Sequence, residues 1–294
     1  MDQCTFGAAP RNGYAGLRVE TVKDAALGVD LHVSTHLPKS VEAPQKNVFI
    51  YSHANSEDLQ LCETWLDDLA AMLESVVVGY DYPGYGETAG RPSEEACRKA
   101  AATVFEFTAE KYPDCRIFLW GRSVGTVPTL ALGAREGDRV SAVILESGMA
   151  SAGDVACKRG CAALSDKLNN LGQIKQLPSS CPVLIVHGKQ DDDVPYRNAL
   201  LLFDAVRAGR TCAEERTEVL DERKNELRTA GNVALLTLED GQHNDLDTYC
   251  VKEMMGAAIR WLRETCGGFE GCSVESRNAR TLKKSKAKRA EMIL

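Results

Sequence analysis

The sequence predicts an α/β fold: a mostly parallel sheet with helices on both faces, an N-terminal antiparallel hairpin and a small cap segment. Three observations predict it. Short, wholly apolar runs such as Val48-Phe49-Ile50-Tyr51 and Val183-Leu184-Ile185-Val186 lack polar alternation, as strands buried on both faces do. These runs alternate with helix-length segments, which calls for crossover connections and parallel pairing. Gly121-Arg122-Ser123-Val124-Gly125 joins the apolar run Arg116–Trp120 directly to a helical stretch at Thr126–Leu132. A strand that enters a helix this abruptly needs a tight turn with a strained central residue.

Taken in order, Leu17–Val22 and Val29–Leu37 alternate and read as the hairpin. Val48–Tyr51 is the first buried strand. Ser56 is expected to cap a helix with Glu57 and Asp58 in its first turn, running to about Leu73. Val76–Tyr80 is a strand, and Ser93-Glu94-Glu95 opens a helix to Lys111. The strand at Ile117, Val140–Leu145, Val183–Val186 and Val233–Leu238 continue the sheet. A last helix is expected over about Asp245–Thr265. Pro128 fits the first turn of its helix, where N–H groups have no intrahelical partner.

The domain is expected to span 15–266, after a flexible start at 1–14 and before a disordered basic tail at 267–294. Two stretches stand apart from the plain alternation. Residues 147–178, which include Cys157, Lys158, Arg159 and Cys161, exceed a simple crossover and are a candidate cap. The highly charged insert 211–232 reads as an exposed helix.

Composition narrows the class. With 294 residues, 44% hydrophobic and 26% charged, the chain is long enough for one large α/β domain. No apolar run is long enough to span a bilayer. The start has no basic-then-apolar leader pattern, and Asp2 is not a myristoylation acceptor. Eleven scattered Cys with no Cys-x-x-Cys read as reduced thiols of a cytoplasmic protein, and no metal or organic cofactor is expected. Net charge is −7, but six basic residues and one acid lie in 279–294, which leaves the rest at −12. An acidic body argues against a nucleic-acid partner. The basic tail is a candidate for weak contact with anionic lipid.

The chemistry rests on Gly-x-Ser-x-Gly. Its geometry lifts a serine hydroxyl clear of the sheet and aims a helix N-terminus at it. An activated serine needs a base, and the base needs an orienting acid, in the chain order Ser, acid, His for a turn of this kind. Of His32, His36, His53, His187 and His243, only His243 follows a strand late enough, on the loop after Val233–Leu238. Ser123 is therefore the candidate nucleophile and His243 the candidate base. The acid lies among Asp191, Asp192 and Asp193; Asp191, nearest the strand end, is favoured and Asp192 is the alternative. His187 is expected to brace that loop. An oxyanion hole needs two N–H donors: Val124 is one, and Asn55, after the first buried strand, is the candidate for the other. The rigid loop Asp81-Tyr82-Pro83-Gly84-Tyr85-Gly86 is a candidate pocket wall.

These pieces together resemble the α/β-hydrolase superfamily, and within it the intracellular depalmitoylase-like, serine aminopeptidase-like group. The resemblance is carried by Ser52–Leu59, Tyr80–Gly86, Gly121–Pro128, His187–Asp191 and Gly241–Asp245, in order over roughly residues 15–265. It implies the α/β-hydrolase fold, nucleophile Ser123, acid Asp191, base His243 and Asn55 in the oxyanion loop. It also implies cleavage of an ester or thioester through an acyl-enzyme, with S-acylated protein as a candidate substrate. Amide cleavage, as in an aminopeptidase, and a non-catalytic interaction protein on the same fold are the alternatives. The chain departs from the group in having Ala54 where His-Gly-Asn is usual, and only Cys4 where the depalmitoylases carry a lipidated N-terminal cysteine cluster.

Overall fold

In the computed structural model, which describes residues 13–38, 45–156, 167–210, 214–267 and 269, ten strands form one sheet. They are β1 (Val19–Asp24), β2 (Val29–His36), β3 (Asn47–Ser52), β4 (Val76–Tyr80), β5 (Arg116–Arg122), β6 (Val140–Glu146), β7 (Val183–Gly188), β8 (Arg216–Val219), β9 (Glu226–Ala230) and β10 (Val233–Leu238). The spatial order is β1-β2-β4-β3-β5-β6-β7-β10-β9-β8. The six strands from β4 to β10 pair in parallel. An antiparallel ribbon closes each edge. This is the predicted α/β architecture with its N-terminal hairpin.

The helices are α1 (Leu59–Leu73), α2 (Glu94–Lys111), α3 (Thr126–Glu136), α4 (Ala152–Ala156), α5 (Asn170–Ile174), α6 (Arg197–Ala208) and α7 (Val251–Thr265). Strand alternation divides them between two cores. Phe49, Tyr51, Phe118, Trp120, Leu184 and Leu236 point toward α1 and α7. Val48, Ile50, Leu119, Val143, Ile185 and Leu235 point toward α2, α3 and α6. On α7, Met254, Met255, Ala258, Trp261 and Leu262 recur at helical spacing and are buried.

Three boundaries and one element differ from expectation. The cap of α1 is Asp58, not Ser56: its carboxylate accepts the Leu61 N–H, while Glu57 is drawn off to other partners. The last helix begins at Val251, not Asp245. Asp245 instead closes turns, its side chain accepting from Gln242 N and its carbonyl from Thr248 N and Tyr249 N. The charged insert is not a helix. Its described part is the hairpin β8–β9, with Asp221 accepting from Arg223 N and Asn225 N, and Lys224 at φ 65°. Its charges sit on an exposed edge strand, where they discourage further strand pairing. Of the tail, Phe269 is buried against Phe49 and Phe118, with ring centroids 6.1 and 5.8 Å away. Burial of such a ring contributes about 2 kcal/mol. The remainder of the expected tail, the start at 1–12, and Cys157, Lys158, Arg159 and Cys161 lie outside the described residues. Among the described residues, no helix is long and apolar enough to cross a membrane.

Candidate active site

The register of the parallel strands brings five strand ends to one edge. Ser52 pairs with Gly121, Arg122 with Glu146, Glu146 with Val186, and Gly188 with Leu238. The turn at Ser123 and the loops after β3, β7 and β10 therefore meet at the carboxyl edge of the sheet, where open α/β sheets place their ligands.

Ser123 has φ 52°, in the left-handed region that a non-glycine residue rarely occupies. The turn survives because its flanks are glycine. A Cβ on Gly125 would stand 2.1 Å from Ser52 O, and one on Gly121 would stand 2.6 Å from Gly125 O. The Ser123 carbonyl is held by Thr126, whose hydroxyl donates to it at 2.6 Å. Asn170 Nδ2 in turn donates to Thr126 Oγ1 at 2.9 Å and to Met149 O at 2.9 Å. The segment containing α5 is thereby tied to the turn.

His243 stands between Ser123 and Asp191. Its Nε2 is 3.0 Å from Ser123 Oγ and its Nδ1 is 2.8 Å from Asp191 Oδ2. Asp191 is saturated: its other oxygen accepts from Asp193 N at 3.0 Å and Val194 N at 2.7 Å. Burial opposes its charge, but hydrogen bonds from His187 and His243 and their fields outweigh burial and hold the carboxyl well below its ordinary range. An ionised Asp191 accepts a proton-bearing Nδ1, which leaves His243 Nε2 as the acceptor facing the serine hydroxyl. The Asp191 side chain is fully sealed, whereas His243 keeps 12% exposure. His187 donates Nε2–H to Val194 O at 2.8 Å and braces the loop. Asp192 and Asp193 are exposed.

The loop after β3 is held by groups that the sequence reading placed differently. Tyr82 and Tyr85 are fully buried rather than lining an open wall. The Tyr82 hydroxyl donates to His53 O at 2.7 Å and that of Tyr85 to Asn55 Oδ1 at 2.5 Å. Burial pushes both phenols well above their ordinary range, so both remain O–H donors. Glu57 accepts Ala54 N–H at 2.9 Å and pairs with Arg122. The sequence reading missed Glu57 and Arg122. The available signal was a cation at the end of an apolar strand.

Distances alone do not single out a site. Ser34, His36 and Asp67 repeat the pattern, with His36 Nε2 3.0 Å from Ser34 Oγ and His36 Nδ1 2.7 Å from Asp67 Oδ1. Ser34, however, is fully buried in the middle of β2, with no turn and no helix N-terminus. Among the described residues, no cluster of His, Cys, Asp or Glu is placed to hold a metal ion.

The fold is that of several esterases. An esterase from Pyrococcus furiosus superposes with a TM-score of 0.66 at 14% identity, covering 88% of this chain and 97% of that one. Est1E from Butyrivibrio proteoclasticus gives 0.61 at 14% identity, covering 83% and 98%. The family model described as serine aminopeptidase, S33, matches residues 43–177. Over those residues, just under half of its length, the chain is similar to α/β-hydrolases. Its relatives there include the Homo sapiens alpha/beta hydrolase domain-containing protein 17B, 32% identical over 170 residues, covering 54% of this chain and 55% of that protein. Another is the Caenorhabditis elegans alpha/beta hydrolase domain-containing protein aho-3, 30% identical over 160 residues, covering 53% and 46%. The match thus spans about half the length of these relatives.

Proposed function

We propose that this chain is a serine hydrolase that cleaves a carboxylic ester or thioester through an acyl-enzyme. The observation that carries the reading is the Ser123–His243–Asp191 hydrogen-bonded line, at 3.0 and 2.8 Å, on a turn with Ser123 at φ 52°. In this reading Ser123 Oγ attacks the acyl carbonyl carbon while His243 Nε2 takes its proton. Asp191 stabilises the imidazolium. The N–H groups of Val124 and Asn55 hold the oxyanion. His243 then gives its proton to the departing alcohol or thiol. Water, deprotonated by His243, releases the acid and restores Ser123. The described parts of 147–178 serve as the cap over this site, tied to the turn through Asn170 and Thr126.

The sequence resemblance to depalmitoylase-like proteins supports a thioester on an S-acylated protein as the substrate, and the esterase fold neighbours support acyl-ester chemistry. One observation favours amide cleavage as a second reading. A cleft of about 690 Å³ beside His243 is lined by Asp192, Asp193, Asp240 and Asp245, a place where a substrate α-amine would be attracted. Aminoacyl-arylamides compared with short acyl esters separate the two.

The test is labelling by a fluorophosphonate probe, wild type beside Ser123→Ala and His243→Ala. Labelling of the wild type alone supports the reading. An unlabelled, folded wild type overturns it in favour of a non-catalytic interaction protein.

A further inference from the structure

Between the serine turn and the base loop lies a buried charge cluster that the reaction as written does not use. Arg122, Glu57, Glu146 and Asp247 are each less than 5% exposed. Arg122 Nη1 pairs with Glu57 Oε1. The other Glu57 oxygen accepts Ala54 N–H at 2.9 Å, next to Asn55. Arg122 Nη2 donates to His243 O at 3.2 Å and to Asn244 Oδ1 at 3.1 Å. Its Nε lies 3.4 Å from Glu146 Oε1, and Glu146 Oε2 is fixed by Trp120 Nε1 at 2.8 Å.

We propose that Arg122 is a positioning residue whose guanidinium ties the loop carrying Asn55 to the loop carrying His243, fixing the oxyanion donor relative to the base. This rests on the hydrolase reading above. A buried ion pair that served only to satisfy its own charges would need no partners on the loops of a site. Here both outer ends of the guanidinium reach site loops, while its Nε faces Glu146 Oε1 on β6 at 3.4 Å, an ion-pair contact without a hydrogen bond. Geometry also explains arginine over lysine. A planar fork engages Glu57 on one nitrogen and the base loop on another at the same time, which a single ammonium does not do across this span. The tether lets the two halves of the oxyanion-and-base arrangement keep one spacing although they come from loops nearly 190 residues apart in sequence.

The experiment is a double-mutant cycle on 4-nitrophenyl butyrate hydrolysis, with Glu57→Gln, Asn244→Ala and both together. These two side chains are linked through Arg122. Arg122→Met and Arg122→Lys are measured alongside, with fluorophosphonate labelling as a check on the nucleophile. Arg122→Met is expected to lose about 100-fold in kcat with KM within about twofold, and Arg122→Lys to recover part of that loss. In the cycle, the double variant is expected to lose less than the product of the single losses, because both weaken one tether, of which the contact with His243 O remains. Should Arg122→Met fail to fold, the cycle alone decides. Multiplicative losses in the cycle, or a folded Arg122→Met with wild-type kcat, overturn the tether while a labelled wild type leaves the hydrolase reading standing. A wild type that neither labels nor turns over overturns both.

Discussion

Gly188→Ala tests whether the acid and base loops must be in backbone contact. Gly188 ends β7 and abuts the base loop: Gln190 N donates to Gly241 O at 2.9 Å, and Lys189 N to Leu238 O at 2.8 Å. An added Cβ would stand 2.2 Å from Gly241 O, 2.4 Å from its carbonyl carbon and 3.0 Å from Gln242 N. Real Cβ contacts essentially never fall under 3.0 Å, and the atoms in the way are backbone, so they cannot rotate aside. The two loops must part by about 0.8 Å, and a displacement near 1 Å at a reacting group costs on the order of 100-fold in rate. The displaced residues lie two before His243 and three before Asp191, so the 2.8 Å bond between them takes up the shift. Overpacking of this kind destabilises by about 1–3 kcal/mol, or roughly 3–10 °C in Tm for a domain of this size. The assay is kcat for 4-nitrophenyl butyrate, measured well below the variant's own Tm, with Tm read by circular dichroism. A folded Gly188→Ala within threefold of the wild-type kcat refutes the reasoning.

Three further outcomes follow from particular contacts. In Asp191→Asn the amide oxygen keeps Asp193 N and Val194 N, so its NH2 faces His243 Nδ1 and moves the ring proton toward Ser123; kcat is expected to fall about 10⁴-fold at pH 7, read by the same assay. Asp58→Ala removes the buried acceptor of Leu61 N–H, and Tm is expected to fall by about 2–4 °C for roughly 1 kcal/mol of lost capping. Burial pushes the Glu146 carboxyl up to about 7, against the pull of Arg122 and the Trp120 hydrogen bond, from an ordinary 4.5. Its folded pKa lies above its unfolded one, so its contribution is full below about 4.5 and is lost as pH rises through 7. Glu146→Gln cannot ionise, and the Tm of the variant relative to wild type is expected to improve from pH 5 to pH 8; a constant difference refutes the assignment.

The sequence by itself determined the fold and singled out the candidate site residues in their order. Wholly apolar runs such as Val48–Tyr51 are legible because strands covered on both faces have no solvent side to alternate with. Ser123 was legible because a strand that turns straight into a helix admits few residue patterns. His243 followed from chain order, and the nearness of Asp191 to the strand end fits its place beneath the imidazole. What the sequence did not carry is what depends on distant residues. The insert at 211–232 has the charge content of a solvated helix, but pairing of Glu226–Ala230 with β10 outweighs that local preference. Ser56 looks as good a cap as Asp58; the choice falls to Asp58 because Glu57 is taken by Ala54 and Arg122. Ser34, His36 and Asp67 lie in no recognisable motif, yet they repeat the hydrogen-bond pattern of the site; what separates the two is that Ser34 sits within β2, while Ser123 stands on a turn at φ 52° before a helix. Arg122 reads as one charged letter inside a motif. Its partners at Glu57, Glu146 and His243 are brought to it by strand register, and neither composition nor spacing records that register.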